Sequence, residues 1–399
     1  MDDIIEITPR MKEFPWGNNY FIPNLMNEVE SETPIGELWM GAHPNSPSTV
    51  PSDSQRPLYD FLRDHPSFIQ PFSEFPFLFK VLAIEKPLSI QCHPLTEQAL
   101  AGYAGEADKR LTLPSELWNY QDSNQKAEML YALTRTTAMC GFRPYQELRE
   151  SFQTLIPSSW ETYFASCDTS DNPIAAFFHL LYTLAPQDLT SCIQEYSYSL
   201  HNLNMEIDGF LSAGQIALDC LRDYPDDPGV FSPFFLNVVT LEPGEAIYLR
   251  PGVVHAYVHG NGMELMNNSD NILRAGLTHK HMDVAELERI MTAEAQSVEK
   301  LQSFTDAAGC HLITESQDFA MTILQDGMFT APGATVEILL CLEGSATINA
   351  GQSRCVLQKG SCYLIGRTIQ KYTIEVFGTV ISARLVPGTK PKSEGAGSR

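Results

Sequence analysis

The sequence predicts a mainly β protein made from two copies of a jelly-roll β-barrel unit, interrupted by an α-helical insertion. Short apolar runs punctuated by Pro and Gly fill the chain up to about residue 94 and again from 237 to about 271. This pattern is typical of an all-β domain. Between these regions, residues 145–224 show helical periodicity almost throughout. The helical segment therefore interrupts a β domain.

A faint internal repeat predicts the second barrel. The segment 241–249 (LEPGEAIYL) resembles 357–365 (LQKGSCYLI), and each reads as a strand, a glycine turn and a strand. Two copies of one barrel unit would explain the repeat, because jelly-roll closure removes exposed sheet edges. The second copy lies beyond His311, the last histidine of the chain. We therefore expect the second barrel to be a metal-free structural partner.

These patterns predict the domain organisation. Residues 1–144 and 229–300 form the first and second parts of the first barrel, and residues 145–228 form the helical insertion between them. Residues 301–390 form the second barrel. The last nine residues, 391–399, are rich in Gly and Ser and form a flexible tail.

The composition excludes several classes of protein. The 399 residues are 43% hydrophobic and 19% charged, which is ordinary for a globular enzyme and excludes extended disorder. A formal charge of −23 opposes binding to nucleic acid, although a few Lys and Arg side chains can still form a pocket for a small anion. No apolar run is long enough to span a membrane. The acidic start of the chain and nine scattered cysteines without a Cys-x-x-Cys motif predict a cytoplasmic protein with reduced thiols.

The segment 89–93 (SIQCH) contains the first candidate metal ligands. It follows the apolar run Phe77–Ile84, which reads as a strand. Because side chains alternate along a strand, Gln91 and His93 point to one side while Cys92 points to the other. An amide oxygen and an imidazole nitrogen on one side are a weak start to a metal site. Alone, such a pair is more often hydrogen-bonded at a strand end than bound to a metal.

Three further segments offer side chains to the same site. His255 follows a glycine turn, where barrel strands direct side chains into the mouth, and His259 shares its face only if the strand is regular. We interpret His259 as a surface or outer residue and His43 as structural. Glu128 lies where a polar turn enters an apolar strand, and its carboxylate can turn inward. The block 264–276 adds more charged groups near a glycine: Glu264, Asp270 and Arg274.

Over nearly its whole length the chain resembles the type I mannose-6-phosphate isomerase (phosphomannose isomerase) family. The matching blocks are long, ordered and widely spaced: 15–17 (PWG), 36–44 (GELWMGAHP), 77–95, 119–128, 140–144 (CGFRP) and 241–278. The resemblance implies a two-cupin architecture with a helical insert. It also implies a zinc-dependent interconversion of mannose 6-phosphate and fructose 6-phosphate through a cis-enediol.

The resemblance further implies roles for individual residues. One zinc ion per chain is bound by four ligands: Gln91, His93, Glu128 and His255. The implied catalytic residues are Arg274, Glu264 and Lys126. Glu264 is the favoured proton shuttle, and Arg274 is a bidentate cation for phosphate or enediolate oxygens. The implied substrate contacts are Trp16, Lys86, Asp270 and Lys280. For Asp270 a loop-capping role is an equal alternative.

The chain departs from the family at two positions. The family's third block usually reads Asn-His-Lys-Pro-Glu, whereas this chain has Gln125 in place of the histidine. A ring-opening role for that histidine cannot be transferred, because an amide does not titrate. His279 replaces the proline of a usual Thr-Pro-Lys, which we expect to change only the stiffness of the loop.

Two other functions stay open on the sequence alone. A non-catalytic sugar-binding cupin is supported by the missing histidine at Gln125. An iron-dependent cupin oxygenase needs two His and one carboxylate with open positions, and the amide of Gln91 disfavours it. Metal analysis separates zinc from iron, and a coupled assay separates an enzyme from a binder. We expect a monomer that acts on a small sugar phosphate, with neither nucleic acid nor a membrane as partner.

Overall fold

The computed structural model describes residues 3–202, 212–301, 304–305, 311–313, 316, 318–331, 333–386 and 389. The predicted tail, residues 391–399, lies outside the described residues. The strands are β1 Ile4–Ile7, β2 Arg10–Asn18, β3 Ile35–Met40, β4 Thr49–Val50, β5 Arg56–Pro57, β6 Phe77–Ile84, β7 Gln91–Cys92, β8 Glu128–Ala132, β9 Thr136–Phe142, β10 Leu236–Leu241, β11 Ala246–Leu249, β12 His255–Asn267, β13 Leu273–Arg274, β14 Phe304–Thr305, β15 His311–Ile313, β16 Phe319–Ala331, β17 Glu337–Ala350, β18 Ser353–Gln358, β19 Cys362–Ile365 and β20 Tyr372–Leu385.

The α-helices are α1 Phe21–Leu25, α2 Leu58–Asp64, α3 Thr96–Gly105, α4 Ala107–Thr112, α5 Tyr145–Leu155, α6 Pro157–Ser159, α7 Pro173–Thr183, α8 Pro186–Asn202, α9 Ala213–Asp223, α10 Ser232–Phe235 and α11 Val284–Ile290. Short 3₁₀ segments lie at Pro51–Asp53, Pro66–Phe68, Ser115–Leu117, Ala165–Thr169 and Pro228–Phe231, and a π-helical turn lies at Trp160–Phe164.

The first sheet forms the barrel that carries the candidate ligands. Its main strands follow the antiparallel order β10-β9-β12-β6-β2-β3, and the short strands β7, β8, β11 and β13 complete it. Strand β12 holds this sheet together, because it pairs with β6 and β8 along its second half and with β7 and β9 along its first. Because β12 pairs with different strands along its two halves, it joins two groups of strands into one sheet.

The second sheet has the order β1-β19-β17-β20-β16-β15-β14, with β18 paired to β17. The repeat predicted from the sequence corresponds to two strand–turn–strand units, one in each sheet. Their turns contain Gly244 with φ +96° and Gly360 with φ +85°, a backbone region that favours glycine. Strand β1 pairs with β19 of this second sheet. Residues 4–7 therefore join the second barrel, although the sequence assigned residues 1–144 to the first, because their apolar strand completes an edge there.

The helical insertion packs against the back of the ligand-bearing strands. It begins with α5 at Tyr145, as predicted, and continues through α10, a few residues beyond the predicted end at 228. Its buried aromatic core also includes Ile90 and Cys92 from the segment of β7, and Val254 and Ala256 from that of β12. The prediction that Cys92 points away from its neighbours Gln91 and His93 is therefore confirmed.

A separate apolar core joins the two barrels. Phe79, Met129, Met263 and Leu265 of the first sheet belong to the same buried cluster as side chains from the second sheet. The contributing residues of the second sheet include Phe319, Met321, Ile338, Leu340 and Ile381. The first barrel is thus covered by two cores, one from the helical insertion and one from the second barrel.

All eight cysteines in the described part of the chain have free thiols, as the sequence predicted. No helix among the described residues is long and apolar enough to cross a membrane.

Removing the ring at the centre of the helical insertion is expected to destabilise the protein. Phe177 is fully buried, and its ring packs against the rings of Phe152, Phe164 and Trp160 at centroid distances of 4.7, 5.2 and 6.2 Å. Phe177→Ala should lower the free energy of unfolding by about 3–5 kcal/mol, measured by denaturant titration. The matched control is Tyr198→Ala on α8, which is 75% exposed and should cost less than about 0.5 kcal/mol. Equal losses in the two variants would contradict the assigned core.

Candidate active site

Three buried side chains from three strand ends converge in the first barrel. His255 opposes Gln91 in the β12–β7 register, which brings the segment of His93 beside β12. The Nε2 atoms of His93 and His255 lie 3.3 and 3.1 Å from the two carboxylate oxygens of Glu128. One ligand atom from each residue can be chosen so that all three lie within 4.8 Å of one another. Two imidazoles and a carboxylate in this arrangement can hold a metal ion.

Backbone carbonyls fix both imidazoles in the tautomer that a metal ligand needs. The Nδ1–H of His93 donates to the carbonyl oxygen of Asn271 at 2.7 Å. The Nδ1–H of His255 donates in the same way to the carbonyl of Val253 at 2.9 Å. Each Nε2 therefore keeps its lone pair and directs it toward Glu128.

The protonation states of these groups also suit a cation. Burial and the neighbouring Lys126 ammonium lower the pKa of His93 to about 4, so its ring is neutral at physiological pH. Burial acts to raise the pKa of Glu128, but Lys126 and the imidazoles outweigh it and hold that pKa well below its ordinary value. The Lys126 Nζ lies 2.8 Å from a Glu128 oxygen. The carboxylate is thus ionised and already attracts one cation.

A cavity of about 730 Å³ opens above these three residues. It is lined by every other residue that the sequence analysis assigned to the site: Trp16, Lys86, Gln91, Lys126, Glu264, Asp270, Arg274 and Lys280. His93 and His255 lie beneath its floor, 2% and 1% exposed. The helical insertion supplies Arg222, Asp223 and Tyr224 from the end of α9, so it forms part of the wall.

Two cations in this cavity are held in surroundings that disfavour their charge. Burial lowers the pKa of Arg274, and burial together with the Arg274 charge lowers that of Lys280. Within the described part of the chain, the Nε of Arg274 is buried without a hydrogen-bond partner. A buried, unpaired donor costs free energy, which an anion in the cavity would recover.

A buried polar chain that the sequence analysis missed holds Glu264. The Nζ of Lys80 lies 2.8 Å from Glu264 and 3.9 Å from Glu37, and the indole N–H of Trp39 donates to Glu37. Burial raises the pKa of Glu264, although Lys80 opposes that shift. The signal for Lys80 was present in the sequence, because it is the one charged residue of the apolar strand β6.

The environment of Asp270 favours a role in the pocket over loop capping. Its two carboxylate oxygens accept hydrogen bonds from the Nε2–H of His43 at 3.2 Å and from the Asn45 side chain at 2.7 Å. The loop itself is capped by Asp122, whose carboxylate accepts from the Asp270 backbone N–H and the Ser269 hydroxyl. The sequence analysis did not identify Asp122.

The remaining candidates have clear positions. His259 is exposed, because a register shift between Tyr257 and His259 breaks the regular strand that would have turned it toward His255. The amide of Gln125 accepts from the Thr96 hydroxyl and donates to Asp318, and it does not line the cavity. The ring of His279 lies against Tyr224 of the helical insertion, with centroids 5.4 Å apart.

Known proteins with similar sequences share one activity. The family model for the catalytic domain of type I phosphomannose isomerase matches residues 4–145. The chain is 32% identical over 383 residues to the mannose-6-phosphate isomerase of Escherichia coli K12, and the match covers 92% of this chain and 96% of that protein. It is 30% identical over 416 residues to the human mannose-6-phosphate isomerase, with coverages of 91% and 93%.

Solved structures agree with these relatives. A crystal structure of mannose 6-phosphate isomerase bound with zinc and yttrium is 28% identical, has a TM-score of 0.86 and covers 96% of this chain and 99% of its own. The apo form from Salmonella typhimurium gives the same TM-score and identity, with coverages of 96% and 100%. The predicted fold class, two cupin barrels with a helical insertion, is confirmed.

Removal of the Lys80 ammonium should destabilise the protein in a pH-dependent way. Lys80→Met leaves Glu264 buried without its partner, which should cost about 3–5 kcal/mol in the free energy of unfolding. The pKa of Glu264 in the folded variant then rises further above its value in the unfolded chain. The contribution of Glu264 to the free energy of unfolding is therefore greatest at low pH and is lost as pH rises through the folded pKa. Denaturant titrations at about pH 5 and about pH 8 should show the larger loss at the higher pH.

The double variant Lys80→Met with Glu264→Gln tests the cause of that loss. It removes the buried charge, so it should recover most of the stability and the added pH dependence. A double variant as unstable as Lys80→Met would show that lost packing, rather than an unpaired carboxylate, is responsible.

Proposed function

The chain belongs to the type I phosphomannose isomerase family, and we propose that it is a zinc-dependent isomerase that interconverts mannose 6-phosphate and fructose 6-phosphate. One observation carries the proposal. Two imidazoles and an ionised carboxylate meet at the floor of a cavity whose wall holds Arg274, and the Nε of Arg274 has no hydrogen-bond partner among the described residues. A metal-binding floor and an anion-binding wall are the two features that a sugar-phosphate isomerase of this kind needs.

The residues fit a zinc ion. Nitrogen and oxygen donors suit zinc, and His93, His255 and Glu128 supply three of them in the required protonation states. Gln91 is proposed as the fourth ligand, because it lines the same cavity and is in register with His255. When bound, zinc acts as a Lewis acid that polarises a carbonyl without redox chemistry. We propose one ion per chain.

The proton transfer is assigned to Glu264. In the proposed reaction Glu264 takes the proton from C2 of open-chain mannose 6-phosphate while Lys126 gives a proton to O1, and the resulting cis-enediol is held in the cavity. Lys126 then takes the proton of the O2 hydroxyl, and Glu264 returns its proton to C1 to give fructose 6-phosphate. Burial raises the pKa of Glu264, which strengthens it as a base, and Lys80 fixes its position. Lys126 lies 2.8 Å from Glu128, where its ammonium can donate to a sugar oxygen.

The phosphate end is assigned to the cations of the cavity. Burial disfavours the charge of Arg274, and burial with the nearby Arg274 charge disfavours that of Lys280, so a phosphate dianion between them is proposed to lower the free energy of both. Lys86 lines the same cavity and adds a third positive charge. Trp16 and Asp270 are proposed to contact the sugar, the first through its ring and the second by accepting from a hydroxyl.

The site needs only one chain, since each residue assigned to it comes from the same polypeptide. We therefore propose a monomer. The free thiols support a cytoplasmic location.

The direct test is a coupled assay that follows fructose 6-phosphate formed from mannose 6-phosphate by the metal-loaded protein. Binding of mannose 6-phosphate without any turnover would instead favour a non-catalytic sugar-binding protein, and stoichiometric iron would favour an oxygenase.

The ligand set is tested by His255→Ala. Removal of one imidazole should eliminate most bound zinc and most activity, because the remaining ligands bind the ion far more weakly. Zinc content is measured by elemental analysis after dialysis, beside His259→Ala as a control on the same strand. His259 is exposed, so this control should keep about one zinc per chain. Full zinc occupancy in His255→Ala would rule out the proposed ligands.

Arg274 is expected to stabilise the transition state as well as to bind substrate. Its planar guanidinium can hold two oxygens at once, which a lysine ammonium cannot reproduce. Arg274→Lys should therefore lower kcat by about 10²- to 10³-fold while zinc content and folding stay intact. Arg222→Lys, in the same cavity but paired with Asp219 and Asp223, is the matched control and should change kcat little. A rise in KM alone would make Arg274 a ground-state phosphate anchor.

A further inference from the structure

We infer that Asp318 of the second barrel is a positioning residue for the catalytic segment that carries Lys126 and Glu128. The kinetic part of this inference rests on the proposed function. Its structural part is independent, because the ligand Glu128 can be probed by metal binding alone. Asp318 lies immediately before strand β16, outside the barrel that contains the site.

Strand geometry first explains why the second barrel reaches this segment. Lys126 and Glu128 line the cavity, whereas Ala127 and Met129 belong to the apolar core shared with the second barrel. Successive side chains of a strand point to opposite faces, so the residues that hold the chemistry alternate with residues that contact the second barrel. The second barrel is therefore the back wall of the site.

The link from this wall to the segment is Asn267, the last residue of β12. It is buried, and it binds both peptide groups of Ala127. Its backbone N–H donates to the Ala127 carbonyl at 3.2 Å, and its side-chain oxygen accepts from the Ala127 N–H at 3.0 Å. Because Ala127 lies between Lys126 and Glu128, the orientation of the Asn267 amide sets the position of both.

Asp318 determines that orientation. One of its carboxylate oxygens accepts from the Asn267 amide nitrogen at 3.1 Å and from the Gln125 amide nitrogen at 3.4 Å. A carboxylate only accepts hydrogen bonds, so it turns the NH₂ group of each amide toward itself. The Asn267 oxygen then faces Ala127, and the Gln125 oxygen faces Thr96, whose hydroxyl donates to it at 2.8 Å.

Asp318 is itself held by the second barrel. Its backbone N–H donates to the Ser316 hydroxyl at 3.0 Å, and its carbonyl accepts from the Val386 N–H at 3.1 Å. The carboxylate therefore has a fixed position relative to the second barrel. This arrangement also gives Gln125 a function here. Its uncharged amide bridges α3 of the first barrel to the second barrel, beside the catalytic lysine.

The test compares Asp318→Ala with Asp318→Asn. Alanine removes the acceptor for both amides, whereas asparagine can place its single oxygen where the shared carboxylate oxygen lies. Asp318→Ala should lower kcat and weaken zinc binding by about 10-fold each, the low end for residues that orient metal ligands. Asp318→Asn should restore both to within about 2-fold of the parent protein, as expected if the acceptor oxygen matters.

Lys359→Ala is the matched control for a general weakening of the contact between barrels. Lys359 also joins the two barrels, through its Nζ and the side chain of Asn24 at 2.8 Å, but it lines a different groove. It should leave kcat and zinc affinity unchanged. Zinc affinity is measured by competition with a chromogenic chelator, and thermal unfolding verifies that each variant is folded.

The outcomes separate this inference from the proposed function. Unchanged kcat and zinc affinity in Asp318→Ala would overturn the positioning role, as would an Asp318→Asn variant as impaired as Asp318→Ala. If Lys359→Ala lowered kcat and zinc affinity as much as Asp318→Ala, the positioning role would also be overturned, because any weakening of the contact between barrels would then have the same effect. If the parent protein binds zinc without isomerase activity, the proposed function fails, and the chelator titration still decides the role of Asp318.

Discussion

Burying an ionised carboxylate costs several kcal/mol unless other groups compensate for the lost water, and Glu128 is only 1% exposed. The compensation comes from the Lys126 ammonium at 2.8 Å and from the Tyr257 hydroxyl, which donates to the carboxylate at 3.2 Å. These partners come from separate segments of the first barrel. The carboxylate can therefore be stable only when the barrel is closed, and the geometry of the site and the integrity of the fold depend on the same contacts.

Closure alone does not make the site rigid, and the two apolar cores supply that rigidity. On the side away from the cavity, β7 and the start of β12 pack against the helical insertion, and β8 packs against the second barrel. Polar side chains that hold the chemistry thus alternate with apolar side chains that hold the strands in place. A change in either core would therefore displace a strand that carries one of the converging side chains His93, Glu128 or His255.

Alternation and turn chemistry made much of this predictable from the sequence. Local rules were enough to predict three features: the opposite orientations of Gln91 and Cys92, the start of the helical insertion at Tyr145, and the two glycine turns of the repeat. The exposure of His259 could not be predicted by local rules alone, because the register shift that exposes it depends on the pairing of β12 with β9. Contacts between remote segments are also invisible in local patterns. The pairing of β1 with β19 and the capping of the Asp270 loop by Asp122 are of this kind.

An acidic protein and an anionic substrate are compatible because electrostatic interactions are local. The chain carries a formal charge of −23, yet salt screens exposed charges over about 8 Å at physiological ionic strength. Inside the cavity, screening is weaker, and the wall carries the cationic side chains of Arg274, Lys280 and Lys86. Two carboxylates of the same cavity are already paired with cations, Glu264 with Lys80 and Glu128 with Lys126. Their negative charges therefore weaken the positive potential of the other cations less than unpaired carboxylates would. Because these two acids are paired, Arg274, Lys280 and Lys86 stay available to an anion, and under the proposed function the pattern of paired charges determines where in the cavity the phosphate is held.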